Sequence, residues 1–308
     1  MNRFDVVVIG GGPAGLTAGF WCAELGLKAA VLEAGDQLGG QLHVIKNPIL
    51  NYPGCTAESG KRFFDKFVIS LNSRAFERIV NSAVSSVSIA ENAVTTHAGI
   101  KFIYRGLVIA SGVRRRRLGI EGELAFVGRG ILESGSGEAT KTKGKTVAII
   151  GGGDAALENA LILSAYARKI YVIHRRGQFR ARREFREPVI NQPNIEILAP
   201  ATPVAIRGKD FVEGVVVYEQ SGKQRFIATD FVLIRVGAVP NTEFVGASIS
   251  LDRAGYVLVD RNCRTSVENV FAVGDCAYPE APTIPTAVGS GAVAAKNIYN
   301  LLSSENLL

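Results

Sequence analysis

Sulfur and imidazole are scarce in this sequence. Its 308 residues include four cysteines, three histidines, one methionine and one tryptophan. Cys22, Cys55, Cys263 and Cys276 are widely separated and form no Cys-x-x-Cys, which excludes a zinc-ribbon spacing and a local dithiol. No histidine has an evident catalytic partner, so no catalytic residue is assigned and no metal site is expected. No apolar run is long enough to cross a bilayer, and no basic segment precedes the first apolar stretch near Phe4. Neither membrane insertion nor a signal peptide is therefore expected. The expected setting is the cytoplasm, where the thiols stay reduced and Cys22 serves as small core filler.

What is abundant is glycine, with 34 residues, several of them in turns after apolar strands. Hydrophobic residues make up 47% and charged residues 20%, the balance of an ordinary globular chain, and the length suits two domains. The net charge is +7, concentrated in Arg114–Arg117 and in Arg175, Arg176, Arg180, Arg182 and Arg183. No DNA- or RNA-binding motif accompanies these clusters, and no nucleic-acid partner is expected.

Two of the glycine turns organise the chain. Gly10, Gly12, Pro13, Ala14 and Gly15 follow the apolar run Val6–Ile9, and Glu33 lies 23 residues after Gly10. Gly10 permits a tight turn, Gly12 lets backbone approach a pyrophosphate, and Gly15 allows close helix–strand packing. A phosphate then meets the N–H groups of a helix N-terminus, while the carboxylate accepts from a ribose diol. The second turn, Gly151, Gly153, Asp154, Ala155 and Ala156, follows Val147–Ile150 in the same way. Its 23-residue offset brings His174, Arg175 and Arg176, with Arg180 shortly beyond. Guanidinium groups bind a 2′-phosphate that a carboxylate would repel, so this turn favours NADPH over NADH. The alternative is that these arginines solvate a surface loop.

Around each turn the pattern reads β-turn-α-β. Strands are expected at Asp5–Ile9, Ala29–Leu32, Thr146–Ile150 and Tyr171–Ile173. Helices are expected at Ala14–Leu25, Phe63–Leu71, Ala155–Ala167 and Ala287–Leu302. Further strands fall at Leu107–Ala110, Val212–Tyr218, Phe231–Val236 and Val270–Val273. The fold class is α/β, with two Rossmann-like dinucleotide-binding domains, the second inserted in the first. Residues 1–113 and 243–308 form the discontinuous outer domain, and 114–242 the inserted one.

The stretches Gly10–Gly15, Gly39-Gly40-Gln41-Leu42, Asn51-Tyr52-Pro53-Gly54 and Ile109-Ala110-Ser111-Gly112 carry a resemblance that covers nearly the whole chain. Gly151–Ala156, His174–Arg176, Phe179–Ala181, Pro240-Asn241-Thr242 and Gly274-Asp275 complete it. Together they resemble the low-molecular-weight thioredoxin reductases. That resemblance implies FAD in the outer domain, NADPH in the inserted one, and a homodimer whose inserted domain rotates. It implies that Asp275 contacts the flavin ribityl chain and that Gln41 and Asn51 lie near the isoalloxazine. Leu42, Ala110, Gly112 and Gly274 join the cofactor-binding set on the same basis.

Two stretches depart from that pattern. Pro282-Thr283-Ile284 stands where the family carries Arg-Gln-Ala near the flavin ring. Ser134-Gly135-Ser136-Gly137-Glu138 stands where it carries Cys-x-x-Cys and an acid, so Ser134 and Gly137 replace both thiols. Neither residue supports disulfide exchange. The chain therefore reads as an FAD-dependent NADPH oxidoreductase whose acceptor is a ferredoxin, a flavodoxin, a quinone or a small oxidant. An acidic carrier would suit the basic surface, with Arg114–Arg117 as docking stretch or as a solvated linker. Alternatives are a disulfide reductase using a relocated Cys55–Cys276 pair, a flavin- or nucleotide-binding redox sensor, and a second flavin in the inserted domain.

Overall fold

Four strands read as continuous apolar runs, Val6–Ile9, Ala29–Leu32, Gly106–Ile109 and Thr146–Gly151, and every residue in them is buried. Burial on both sides is what a parallel sheet covered on both faces demands. The computed structural model, which describes residues 2–305, forms two compact units. One runs to Arg114 and resumes at Val239; the other is Arg115–Ala238. Its helices are α1 (Pro13–Glu24), α2 (Gly60–Leu71), α3 (Asp154–Ser164), α4 (Arg183–Asn191) and α5 (Ile284–Glu305).

In the outer unit a parallel sheet runs in the order Val270–Ala272, Gly106–Ile109, Val6–Ile9, Ala29–Leu32, Glu77–Ile79. Alternate residues serve opposite faces. Val6, Val8, Val31 and Val108 pack with Leu16 of α1 and with Ala294 and Ile298 of α5. Val7, Ile9, Leu32, Leu107 and Ile109 pack with Val94 and Phe102, which belong to a separate four-stranded sheet. Each fully buried aliphatic side chain is worth about 1.5–3 kcal/mol of transfer free energy, so the two covered faces hold the unit together.

The inserted unit repeats the plan. Its parallel sheet runs Ile131–Leu132, Phe231–Arg235, Thr146–Gly151, Lys169–Ile173, Ile195–Leu198. Val147, Ile149, Ile170, Val172 and Leu233 pack against Leu157, Ala160 and Leu163 of α3. Ala148, Ile150 and Val232 face Ile206, Val215 and Ile227 of an antiparallel three-stranded sheet. Both sheets therefore place the glycine-turn strand at the centre, where the chain order reverses, and ligands of such sheets bind at that switch point.

Two details differ from expectation. Pro240-Asn241-Thr242, read as part of the inserted unit, packs with the outer one. Asn241 donates from its backbone to Gly112 O and from its side chain to Ser111 O, and Thr242 Oγ1 donates to Gly255 O. Helix α4 went unread, because Pro188 within it argues against a helix. It forms because Val189 is fully buried against the α3 face, with Phe185 packed beside it. Among the described residues no helix is long and apolar enough to cross a membrane, and no group of side chains is arranged to hold a metal.

Candidate functional site

The first glycine turn is built by contact with the neighbouring strand. Gly10 sits at φ +110°, and a Cβ there would lie 2.3 Å from the Ala110 carbonyl oxygen. Pro13 opens α1 at a position where a missing N–H costs nothing. No side chain caps that helix, so the N–H groups of Ala14 and Gly15 point at the turn without an intrahelical acceptor. Glu33, half-buried, accepts from Gly11 N at 2.7 Å through Oε2 and from Gly35 N at 2.8 Å through Oε1. Each oxygen keeps a lone pair for a hydroxyl.

The structure supplies its own test of whether an adenine dinucleotide fits here. A Cβ at Gly12 would meet no atom within 4 Å, so the space before the turn is open. Asp275, half-buried beside the turn that begins at Gly274, makes no hydrogen bond among the described residues, and burial pushes its carboxyl above the usual range. A half-buried acceptor without a donor suits a ligand hydroxyl. Gly274 lies close to Ala14, where an added Cβ would come within 2.9 Å of the Ala14 Cβ. The open cradle, the pinned Glu33 and the unpartnered Asp275 fit the group.

Other expected members of this site differ in character. Gln41 is exposed and donates from Nε2 to Val113 O at 2.9 Å. Asn51 is exposed, and Gly112 turns the chain after Ala110 at φ +65°. Leu42 is 1% exposed and packs with Ile49, Ala57 and Phe63, so its side chain is core. Pro282-Thr283-Ile284 starts the last helix: Thr283 Oγ1 accepts from Thr286 N at 3.3 Å, and Ile284 packs against the Leu42 cluster.

The second turn repeats the construction. Gly151 has φ +153°, with a would-be Cβ 2.2 Å from the Arg235 carbonyl oxygen, and a Cβ at Gly153 would again meet open space. Ala156 is fully buried, whereas Asp154 and Ala155 present N–H groups at the uncapped start of α3. The Asp154 carboxylate is committed elsewhere. It accepts from Arg182 N at 2.8 Å and Arg182 Nε at 2.7 Å, and these bonds hold it below the usual carboxylate range. This clamp between turn and loop had no signal in the sequence beyond the acid itself.

His174 does not stand free for a phosphate. It is buried against Gly152, where a Cβ would fall 2.4 Å from the imidazole, and stacks at 5.4 Å on Phe179. Burial lowers its pKa, and Nε2 lies 3.2 Å from Gln178 O, so the ring is engaged within the loop. The arginines divide in two. Arg182 pairs with Asp154 and Glu184, and Arg183 with Glu187. Arg175, Arg176 and Arg180 are exposed and form no ion pair or side-chain hydrogen bond among the described residues. Arg180 N and Ala181 N donate to Gly152 O, which ties the loop of unpaired arginines to the turn.

The structure forms no disulfide. All four cysteines are free. Cys276 is wholly buried, donating to Ile109 O and Val273 O, and burial raises its pKa. Cys55 is half-buried beside the separate Leu42 cluster. The Cys55–Cys276 alternative therefore lacks an accessible thiol at one end. Arg114 is paired with Glu243 and bonded to Asn241, so Arg114–Arg117 is not a uniformly free basic stretch.

The sequence profile of the pyridine nucleotide-disulphide oxidoreductases matches residues 4–291. A thioredoxin reductase of Treponema pallidum (strain Nichols) is 32% identical over 297 residues, covering 95% of this chain and 95% of that protein. A Clostridium pasteurianum protein named "34.2 kDa protein in rubredoxin operon" is 30% identical over 300 residues, covering 96% of each chain. The fold is similar to that of Lactococcus lactis thioredoxin reductase, with a TM-score of 0.87, 31% identity, and coverage of 98% of this chain and 99% of that one.

Proposed function

Because this chain belongs to the pyridine nucleotide-disulphide oxidoreductase family, we propose that it is an FAD-dependent NADPH oxidoreductase working without a redox disulfide. The observation that carries this reading is the opposite charge at the two turns. Glu33 is pinned at one, and three unpaired arginines are tied to the other.

FAD, when bound, supplies acceptance of hydride from NADPH and release of the electrons to a further acceptor. The chain's own contribution is binding and orientation. Ala14 N and Gly15 N meet the flavin pyrophosphate, Glu33 accepts from the adenosine ribose, and Asp275 accepts from the ribityl chain. Asp154 N and Ala155 N meet the NADPH pyrophosphate. Arg175, Arg176 and Arg180 hold the 2′-phosphate, and His174 supports their loop from beneath. No thiol takes part, because Ser134 and Gly137 stand where the resemblance puts the redox pair.

The acceptor is a ferredoxin- or flavodoxin-type carrier, a quinone or a small oxidant, and the working form is a cytoplasmic homodimer. Anaerobic addition of NADPH to the purified holoprotein tests the reading: the flavin absorbance band bleaches within the mixing experiment. An unchanged spectrum favours a sensor or another donor, and two released flavins per chain favour flavin in both units. Protein that stays colourless after reconstitution with FAD removes the proposal.

A further inference from the structure

The serine–glycine turn that replaces the family's dithiol is not an empty remnant. Glu138 Oε2 accepts from Glu133 N at 2.7 Å and Ser134 N at 2.9 Å, and Ser134 Oγ accepts from Gly137 N at 3.1 Å. Gly135 lies against α3, where a Cβ would fall 1.9 Å from Asn159 Oδ1. The turn is thus fixed at both ends and in the middle.

Two cations converge on this fixed turn. Arg115 Nη1 donates to Glu133 O, and Arg235 Nη2 donates to the same oxygen at 3.1 Å. Neither guanidinium has an ion pair among the described residues, and the nearby Glu138 is spent on the turn and on Lys141. Arg235 is half-buried, and burial with the charge of Arg115 lowers its pKa to about 10. At neutral pH Arg235 remains charged. Two like charges share one carbonyl oxygen, and the carboxylate that acts on Arg235, Glu138, is already bonded to the turn and to Lys141; such an arrangement is one that an oxyanion completes.

The position of Arg235 says what kind of oxyanion. In the outer sheet Gly10 packs on Ala110, the residue that follows the neighbouring strand. In the inserted sheet Gly151 packs on Arg235 at the end of the equivalent strand. A cation thus follows at the carboxyl edge of the sheet, where the sister unit has a methyl group, and its guanidinium reaches Glu133 O just past the edge strand Ile131–Leu132. The NADPH phosphates already have partners in the uncapped start of α3 and the Arg175–Arg180 loop. A half-buried guanidinium suits a small anionic group better than the flat face of a protein.

We propose that Arg115, Arg235 and the Ser134–Gly137 turn form an oxyanion-binding site that anchors a carboxylate, phosphate or sulfonate group of a small electron acceptor. Its assignment to the acceptor rests on the function proposed above; its affinity for an anion does not. The test is steady-state NADPH oxidation by 1,4-naphthoquinone and by its 2-sulfonate, in wild type and in the Arg115→Gln and Arg235→Gln variants. Each variant raises KM for the sulfonate about tenfold and shifts KM for the parent quinone and Kd for NADPH by less than about twofold. Equal shifts for both quinones, no shift, or weakened NADPH overturns the site. Arg115 is exposed, so its variant folds even where Arg235→Gln does not. If wild type reduces neither quinone, the proposed function fails with these acceptors, and selenate soaked into crystals reads the site alone. An anomalous peak between the two guanidiniums, lost in Arg115→Gln, supports it; a wild-type crystal without the peak overturns it.

Discussion

Single residues separate binding from packing more sharply than their motifs do. Arg175, Arg176 and Arg180 are unpaired whereas Arg182 and Arg183 are not. Replacing each of the first three with glutamine is expected to raise KM for NADPH about tenfold while leaving KM for NADH unchanged. The same change at Arg183 alters neither. Asp275 carries a pH signature. Its carboxyl is raised by burial, so the folded chain holds that proton more tightly than the unfolded one. The group's contribution to stability is therefore fully present below the unfolded pKa and lost as pH rises through the folded one. FAD-free Asp275→Asn protein is expected to melt about 1–3 °C above wild type at neutral pH. The two melting curves converge in acid, and FAD binds the variant more weakly. Much of this scale was hidden in the sequence. The offset that selects Glu33 selects His174 equally well, yet one is pinned facing the turn and the other lies beneath it. Both lie against the second glycine of their turn, Gly11 and Gly152; their hydrogen bonds tell them apart, since Glu33 accepts from Gly11 N whereas His174 Nε2 lies 3.2 Å from Gln178 O.

At the scale of elements the reading was more secure, because fully buried parallel strands leave an unbroken apolar record. Ala29–Leu32 matches residue for residue, and the two glycine-turn helices start within one residue of expectation. What escaped was locally contradictory, including the eight-residue strand Ala201–Gly208 with Pro203 inside it. Helix α4 contains a proline, and the strands Ile195–Leu198 and Gln224–Ala228 mix charged and apolar residues. The turns themselves are the least tolerant elements. At Gly151 a methyl group would meet the Arg235 carbonyl oxygen at 2.2 Å with the backbone at φ +153°. Gly151→Ala is expected to raise Kd for NADPH by a factor of about 100 or more, equivalent to roughly 3 kcal/mol of misplaced turn. Flavin stays bound at full occupancy, as its absorbance after gel filtration would report.

The whole molecule consists of two units with separate cores, and its unfolding should show it. A chain of this kind departs from two-state behaviour, so calorimetry of the FAD-free protein is expected to resolve two transitions. NADPH at about 100 times its Kd stabilises by about 2.7 kcal/mol and should raise one transition while leaving the other in place. A single transition that moves as a whole would argue against independent cores. The division also fixes an order of birth. The inserted unit is one continuous stretch, Arg115–Ala238, and every strand of its parallel sheet lies inside it. The outer sheet takes its edge strand from Val270–Ala272, and its acid Asp275 and its covering helix α5 come later still. On the ribosome, the nicotinamide pocket is therefore assembled while the flavin pocket is still waiting for its closing third, and a stalled nascent chain ending before Val270 should already capture NADPH but never turn yellow.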